Sequence, residues 1–306
     1  MKANMLVVAT SLIILNTHSN QTNQNLIQKN VEITAPIAMG EFFDKLTILM
    51  IKRENIHDPE KRKNVETEWE KLNTIYKTTI PESSELTNLI DQLLSVNKSL
   101  WALEDATRDK EAHKTWDHEF VKQAQSILEN NDTRFTIKRA INELLGSPLV
   151  EEKSYKKNLA RSIDNKTKST QQAVVIECVD VPISLADLLD RISILEIKLK
   201  HITDPKKHAH IQHEYNTLIE IYKDAIEETD ELKKLYQEIL EFNQKMWDIQ
   251  DKLRIKVLND ELDEEFIQLA RGVYYTNDGR CAVKRTINLS SGSCIVEEKM
   301  YTKYKS

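Results

Sequence analysis

Residues 35–54 read APIAMGEFFDKLTILMIKRE, and residues 181–200 read VPISLADLLDRISILEIKLK. In the second stretch Leu185, Leu188, Ile192, Leu195 and Leu199 recur every three or four residues, the apolar face of an amphipathic helix. Ser184 supplies its N-cap, and Asp204-Pro205 follows its end. The two stretches open one unit written twice. Residues 36–155 match residues 182–301 at a constant offset of 146 without a gap, and about 45 of 120 positions are identical. A period this long describes domains, because solenoid repeats run about 20–50 residues.

Working outward through the second copy, Val174 to Ile183 reads as an extended segment, and a second helix runs from about Pro205 to Glu228 with Ile211, Tyr215, Leu218 and Tyr222 inward. A long third helix carries Leu232, Leu235, Ile239, Phe242, Met246, Ile249 and Leu253 to about Leu258. A fourth is expected over roughly Leu262–Tyr275, and a fifth from an Asn277-Asp278 cap to Gly292, a residue suited to a helix C-terminus. The tail Ile295 to Tyr301 is expected to pair with the segment before the first helix. The fold class is therefore mainly α: two homologous helical bundles of about five helices each, with short strands at the domain ends. The copies occupy residues 31–155 and 173–306, and the polar stretches 20–30 and 156–172 read as linkers.

Composition agrees and narrows the function. Five Gly and six Pro leave too few turn residues for a many-turned β fold, and no glycine-rich phosphate loop can be written. With 43 basic against 49 acidic residues the net charge is -6, so no nucleic acid is expected as a partner. Cys178, Cys281 and Cys294 form neither a disulfide framework nor a metal knuckle. Lys2 and the eleven-residue apolar run Met5–Leu15 make residues 1–19 a signal peptide or a hydrophobic N-terminal segment, since a spanning helix needs about 20 apolar residues. The chain is accordingly exported or envelope-associated on the first reading and cytoplasmic on the second. Sequons at Asn97 and Asn131 fall inside the repeat, where a glycan would obstruct packing.

Four motifs occur in both copies. They are the opening quoted above, a Trp-x-x-x-Asp-x-x-Arg segment, an Asn-Asp-x-Arg run followed by Lys-Arg-x-Ile-Asn, and a closing Val-Glu-Glu-Lys. On these residues the chain resembles a bacterial family catalogued as domain of unknown function 6165. The resemblance implies the helical fold and no chemistry. The first copy departs from it with Ala102 in place of Asp248, and with Leu128-Glu129 in place of Tyr274-Tyr275.

The polar residues retained in both copies are the candidates for function. Trp247, Asp251 and Arg254 lie on one helical face; Asn277, Arg280, Lys284 and Asn288 lie on another, with Arg285 beside them. Their first-copy equivalents are Trp101, Asp105, Arg108, Asn131, Arg134, Lys138, Asn142 and Arg139. With the faces opposed, Asp251 would pair Arg280 or Arg254, leaving Lys284 and Arg285 for an anion or a partner's carboxylates. Asp44 and Asp190 read as charges near a helix N-terminus. His208, His210 and His213 cluster near Asp204 and Glu214, but the helical spacing puts only two on one face, so no metal site is assigned.

Three readings remain open. One is a noncatalytic interaction or scaffold protein whose copies pack as a pseudo-twofold pair and meet an unidentified protein partner. Another is a helical enzyme or binding protein for a small anionic metabolite, with Arg280 and Lys284 clamping the anion and Asp251 as acid or base. A third, envelope-associated role rests on residues 1–19 alone. No reading calls for a cofactor, and no catalytic residue is assigned.

Overall fold

The computed structural model describes residues 33–149, 151–152, 178–293, 295 and 297–298. The N-terminal segment 1–19 and the two expected linkers, 20–30 and 156–172, lie outside the described residues. The first copy consists of strand β1 (Ile33–Ile37) and helices α1 (Met39–Asn55), α2 (Pro59–Thr79), α3 (Ser84–Ala112) and α4 (His118–Leu144). The second repeats it as β2 (Val179–Ile183), α5 (Leu185–His201), α6 (Pro205–Ala225), α7 (Asp230–Leu258) and α8 (Glu264–Ser291). No described helix is long and apolar enough to cross a membrane.

The boundaries follow local chemistry that the copies mostly share, one exception being the start of the first helix, where Ala38 has no capping side chain and Ser184 has one. Ser184 Oγ accepts from the Asp187 amide at 3.0 Å, capping α5. Asp58 and Asp204 cap α2 and α6, each with Pro at the first helical position. Asp117 and Asp263 cap α4 and α8 and also receive Lys110 and Lys256 from the preceding helix, which closes a tight helical hairpin in each copy. Gly292 ends α8 in the left-handed conformation at φ 61°, where a residue without Cβ is favoured.

Two expectations change. Each described copy has four helices, because the anticipated break at Asn277-Asp278 is absent and α8 runs through it. The reason is that these side chains are engaged sideways: Asn277 accepts from Arg280, and Asp278 accepts from Arg108. Gly279 does not break the helix either; its bare Cα lets the Phe242 ring approach, where a Cβ would lie 2.4 Å from a ring carbon. The second change concerns strand pairing. The partner of β2 is β1 rather than the tail, whose described residues 295, 297 and 298 form no strand.

In the antiparallel ladder Ala35 sits opposite Val181, its own equivalent at the offset of 146, so the register reads alike from either strand. Ile33, Ala35 and Ile37 alternate inward on β1, as Val179, Val181 and Ile183 do on β2. Pro36 and Pro182 fit because a two-stranded ribbon consists of edge strands only. The inward residues join one continuous apolar core containing Phe42, Phe43 and Leu46 of the first copy and Leu188, Leu189 and Ile192 of the second.

Helices α3 and α7, at 29 residues, are about 44 Å long and outrun that core. The far end of α7 and the starts of α4 and α8 form a second cluster, in which Phe120, Val121 and Ala124 meet Ile249, Leu253, Phe266, Ala270 and Tyr274. Both apolar clusters therefore draw on both copies.

Helices α1 and α4 approach closely at Gly40, where a Cβ would stand 2.2 Å from the carbonyl oxygen of Lys138. We expect Gly40→Ala to force α1 and α4 apart and to cost about 1–3 kcal/mol by denaturant unfolding. A neutral result would mean that the helices have room to separate.

Candidate functional site

Of the residues singled out in sequence, Arg134, Lys138 and Asn142 of α4 come together against α1. Asp44, the sixth residue of α1, is 1% exposed. Arg134 Nε donates to Asp44 Oδ1 at 2.8 Å while Nη2 donates to Oδ2, a bidentate grip. Asn97 of α3 donates to the same Oδ1 at 2.9 Å and to Thr47 Oγ1 at 3.0 Å. Its amide is thus built into the core, which accounts for the sequon there without a glycan. Lys138 pairs with Glu41 and, at 2.7 Å, with Glu151. Asn142 Oδ1 accepts from the Gly40 amide at 2.6 Å, meeting an N–H of the first turn that has no intrahelical acceptor.

The second copy repeats the arrangement with small differences. Asn243 donates to Asp190 at 2.8 Å and to Ser193 at 2.7 Å, and Arg280 Nη1 donates to Asn243 Oδ1 at 3.1 Å, 3.8 Å from Asp190. Lys284 lies 2.8 Å from Asp187, 3.1 Å from Glu297 and 3.5 Å from Asp190. Asn288 accepts from the Ala186 amide at 3.1 Å. Asp44 and Asp190 are therefore buried anchors within their helices, not N-terminal charges.

The other stripe points elsewhere. Asp251 is exposed and pairs with neither Arg280 nor Arg254, which corrects the pairing expected from sequence. Arg254 instead reaches the other copy, donating through both terminal nitrogens to Asp132 at 2.9 Å. Arg108, 1% exposed, does the same to Asp278 at 3.0 and 2.8 Å. Trp247 is stacked by His201 with ring centroids 5.0 Å apart. In the first copy Trp101 hydrogen-bonds Asp105, whose carboxyl is raised by burial against the pull of Arg108 and that bond. Asn131 caps nothing and donates to the Ile127 carbonyl within α4 at 2.9 Å. Arg139 makes an exposed pair with Glu143, and Arg285 lies 3.7 Å from Glu298.

Sequence reasoning missed three groups. Asp132 and Asp278 receive the cross-copy arginines. The second Glu of each closing motif also crosses: Glu298 accepts from Asn64 at 2.9 Å, and Glu152 sits 3.2 Å from His210 and 3.9 Å from Lys207. Third, Glu111, 5% exposed, accepts from Arg271 at 2.8 and 3.0 Å, from Tyr275 at 2.6 Å and from Trp116 at 2.7 Å. Identity between the copies was a usable signal for the first two groups. It fails for the third, where Val257, Gln125, Glu129 and Leu262 occupy the equivalent positions.

Electrostatics follow the geometry. Burial alone would raise the Asp44 carboxyl, but Arg134 and Lys138 outweigh it and hold it below the ordinary carboxylate range. Asp187 is lowered in the same way, burial being overcome by Lys284 and Lys45. Burial would lower Lys138 and Lys284, yet their carboxylates raise both. Among the described residues no group of three or more His, Cys, Asp or Glu could hold a metal ion.

A family model described as a family of unknown function (DUF6165) matches residues 30–169 and matches again at 179–306. Among curated proteins and among solved structures, nothing matches.

The lowered aspartates stabilise the fold fully above their ordinary pKa of about 3.9 and lose that contribution as pH falls through the depressed native values. The raised lysines contribute fully below about pH 10 and lose it as pH rises through the native values. Stability should therefore be level from roughly pH 5 to 9. Asp44→Asn should lower that plateau by about 3 kcal/mol, since Arg134 loses its buried partner, and should flatten the acid-side fall. Denaturant unfolding against pH checks both, and an unchanged plateau would contradict the role given to Asp44.

Proposed function

We propose, from the premise that the chain belongs to the DUF6165 family of unknown function and carries it twice, that it is a noncatalytic interaction scaffold built as a pseudo-twofold pair within one chain. The observation that carries this reading is how the cations retained in both copies are used. Arg134 and Lys138 grip Asp44, Glu41 and Glu151; Lys284 is held by Asp187, Asp190 and Glu297, and Arg280 sits with Asn243 and Asn277. An anion clamp needs donors aimed at an opening. These donors are aimed at carboxylates and amides of their own copy. The cluster pins the last helix of each copy to the first, and its polar cost is met by charge pairing and hydrogen bonds.

Pairing is supported by contacts that recur in both directions. Arg108 reaches Asp278 and Arg254 reaches Asp132; Asn64 reaches Glu298 and His210 reaches Glu152. With the ladder centred on Ala35 and Val181, these contacts relate each copy to the other by one operation. The motifs written in both copies thus encode a self-complementary seam. A single-copy relative would be expected to form a homodimer through it.

Two measurements test the reading. In a thermal-shift screen against small carboxylates and phosphates we expect no saturable shift that depends on Arg280. A shift abolished by Arg280→Ala would favour the metabolite-binding or enzymatic reading instead. For the pairing, a protease site placed between residues 156 and 172 should allow the folded chain to be cut while both halves migrate as one particle. Replacing both Arg108 and Arg254 by Ala should raise the concentration at which the halves separate by about tenfold or more. Wild-type halves that separate at once on cutting would refute it.

A further inference from the structure

A cavity of about 280 Å³ lies at the seam, lined by Lys61 of α2, by Cys281, Lys284, Arg285 and Asn288 of α8, and by Glu298. Glu298 is 4% exposed. Its Oε1 accepts from Asn64, but Oε2 has no hydrogen-bond donor, and the nearest cation, Arg285, is 3.7 Å away. A buried carboxylate oxygen without a donor is costly and calls for a partner. The first-copy counterpart differs: Glu152 faces both His210 and Lys207.

The walls differ too. Where the second copy has Cys281 and Ala282, the first has Phe135 and Thr136, both bulkier. The smaller side chains stand in the copy that has the cavity beside an unsatisfied acid. Ordinary drift in a packed wall would leave a void unlinked to any polar need. The other acids of the lining have their cations: Asp278 takes Arg108, and Glu297 takes Lys284.

We propose that this cavity binds a small zwitterion of the α-amino-acid type, its ammonium donating to Glu298 Oε2 and its carboxylate meeting Lys61 and Arg285. Charge complementarity selects this class. A bare amine would face Lys61, Lys284 and Arg285 across the same space, and a bare carboxylate would face Glu298; a dipolar molecule satisfies both ends. The site rests on the pairing proposed above, because Lys61 and Asn64 come from the first copy and the rest from the second.

Calorimetry of the full chain with a panel of free L-amino acids tests it, each compared with the matched amine and the matched carboxylate that lack one charge. At least one amino acid should bind saturably at one site, with either single-charge counterpart about tenfold or more weaker, as expected for a lost charge-assisted hydrogen bond. Glu298→Gln keeps the acceptor for Asn64 but removes the charge, and it should weaken binding similarly. Cys281→Phe and Ala282→Thr, which restore the first-copy side chains, should abolish it, and Glu152→Gln should leave it intact. Bound ligand should also slow alkylation of Cys281, read by peptide mass. Absence of saturation across the panel, binding that survives both Glu298→Gln and Cys281→Phe, or equal binding of the single-charge analogues would overturn the site. Separation of the cut halves would identify a failure of the pairing itself.

Discussion

An aspartate on the buried side of an apolar helix can remain charged only if a cation is brought to it. In each copy that condition fixes the rotation of the last helix about its own axis. Arg134 must face Asp44, and Lys138 and Asn142, one and two turns further on, are then carried toward the start of α1, where Glu41 and the Gly40 amide lie. The same rotation decides what faces away. Asp132 is two residues before Arg134, about 200° around the helix, so it points to the opposite side. There Arg254 of the other copy receives it. One short motif, Asn-Asp-x-Arg, thereby closes its own bundle with the arginine and meets the neighbouring bundle with the aspartate.

The closing Glu-Glu pair divides in a comparable way. Glu151 turns to Lys138 of its own copy while Glu152 turns to His210 of the other. The second copy divides less cleanly: Glu297 meets Lys284 but also Lys52 of the first copy at 3.7 Å, and Glu298 meets Asn64 with Arg285 of its own copy 3.7 Å away. In the Asn-Asp-x-Arg motif, and in the Glu-Glu pair of the first copy, neighbours in sequence serve different bundles. That is why the polar residues retained in both copies, which the sequence places on two helical faces as candidates for an anion or a partner, separate in space into an internal lock and a seam.

Much of this was legible before any coordinates. The apolar spacing in residues 185–199, the cap at Ser184, the Asp-Pro helix starts and Gly292 each correspond to a local cause that acts within a few residues. Asp190 reads in the sequence as a helix N-terminal charge, although it lies among Leu188, Leu189 and Ile192, and only the structure shows it buried. What the pattern did not contain was the destination of the long side chains. Arg108 and Asp278 are 170 residues apart, and nothing local distinguishes an arginine that pairs within its own copy from one that crosses. The continuity of α8 through Asn277-Asp278 was hidden for the same reason: a cap signature is a statement about local donors, and here the side chains had distant partners.

Duplication within one chain also removes a restriction that a homodimer obeys. In a homodimer any seam contact is made twice or not at all. Here Glu111 gathers Arg271, Tyr275 and Trp116 on one side, with the guanidinium 4.0 Å from the Trp116 ring centroid. The equivalent positions on the other side hold Val257, Gln125, Glu129 and Leu262. If the second copy met another second copy, Arg271 would find Val257 where it now finds a carboxylate, leaving a half-buried cation without its partner. If the first met another first, Glu111 would face Gln125 and Glu129 in place of Arg271 and Tyr275, setting two acids together. Each copy has thus become complementary to the other rather than to itself, so the polar knot at Glu111 favours the arrangement in which the duplicated chain folds upon itself.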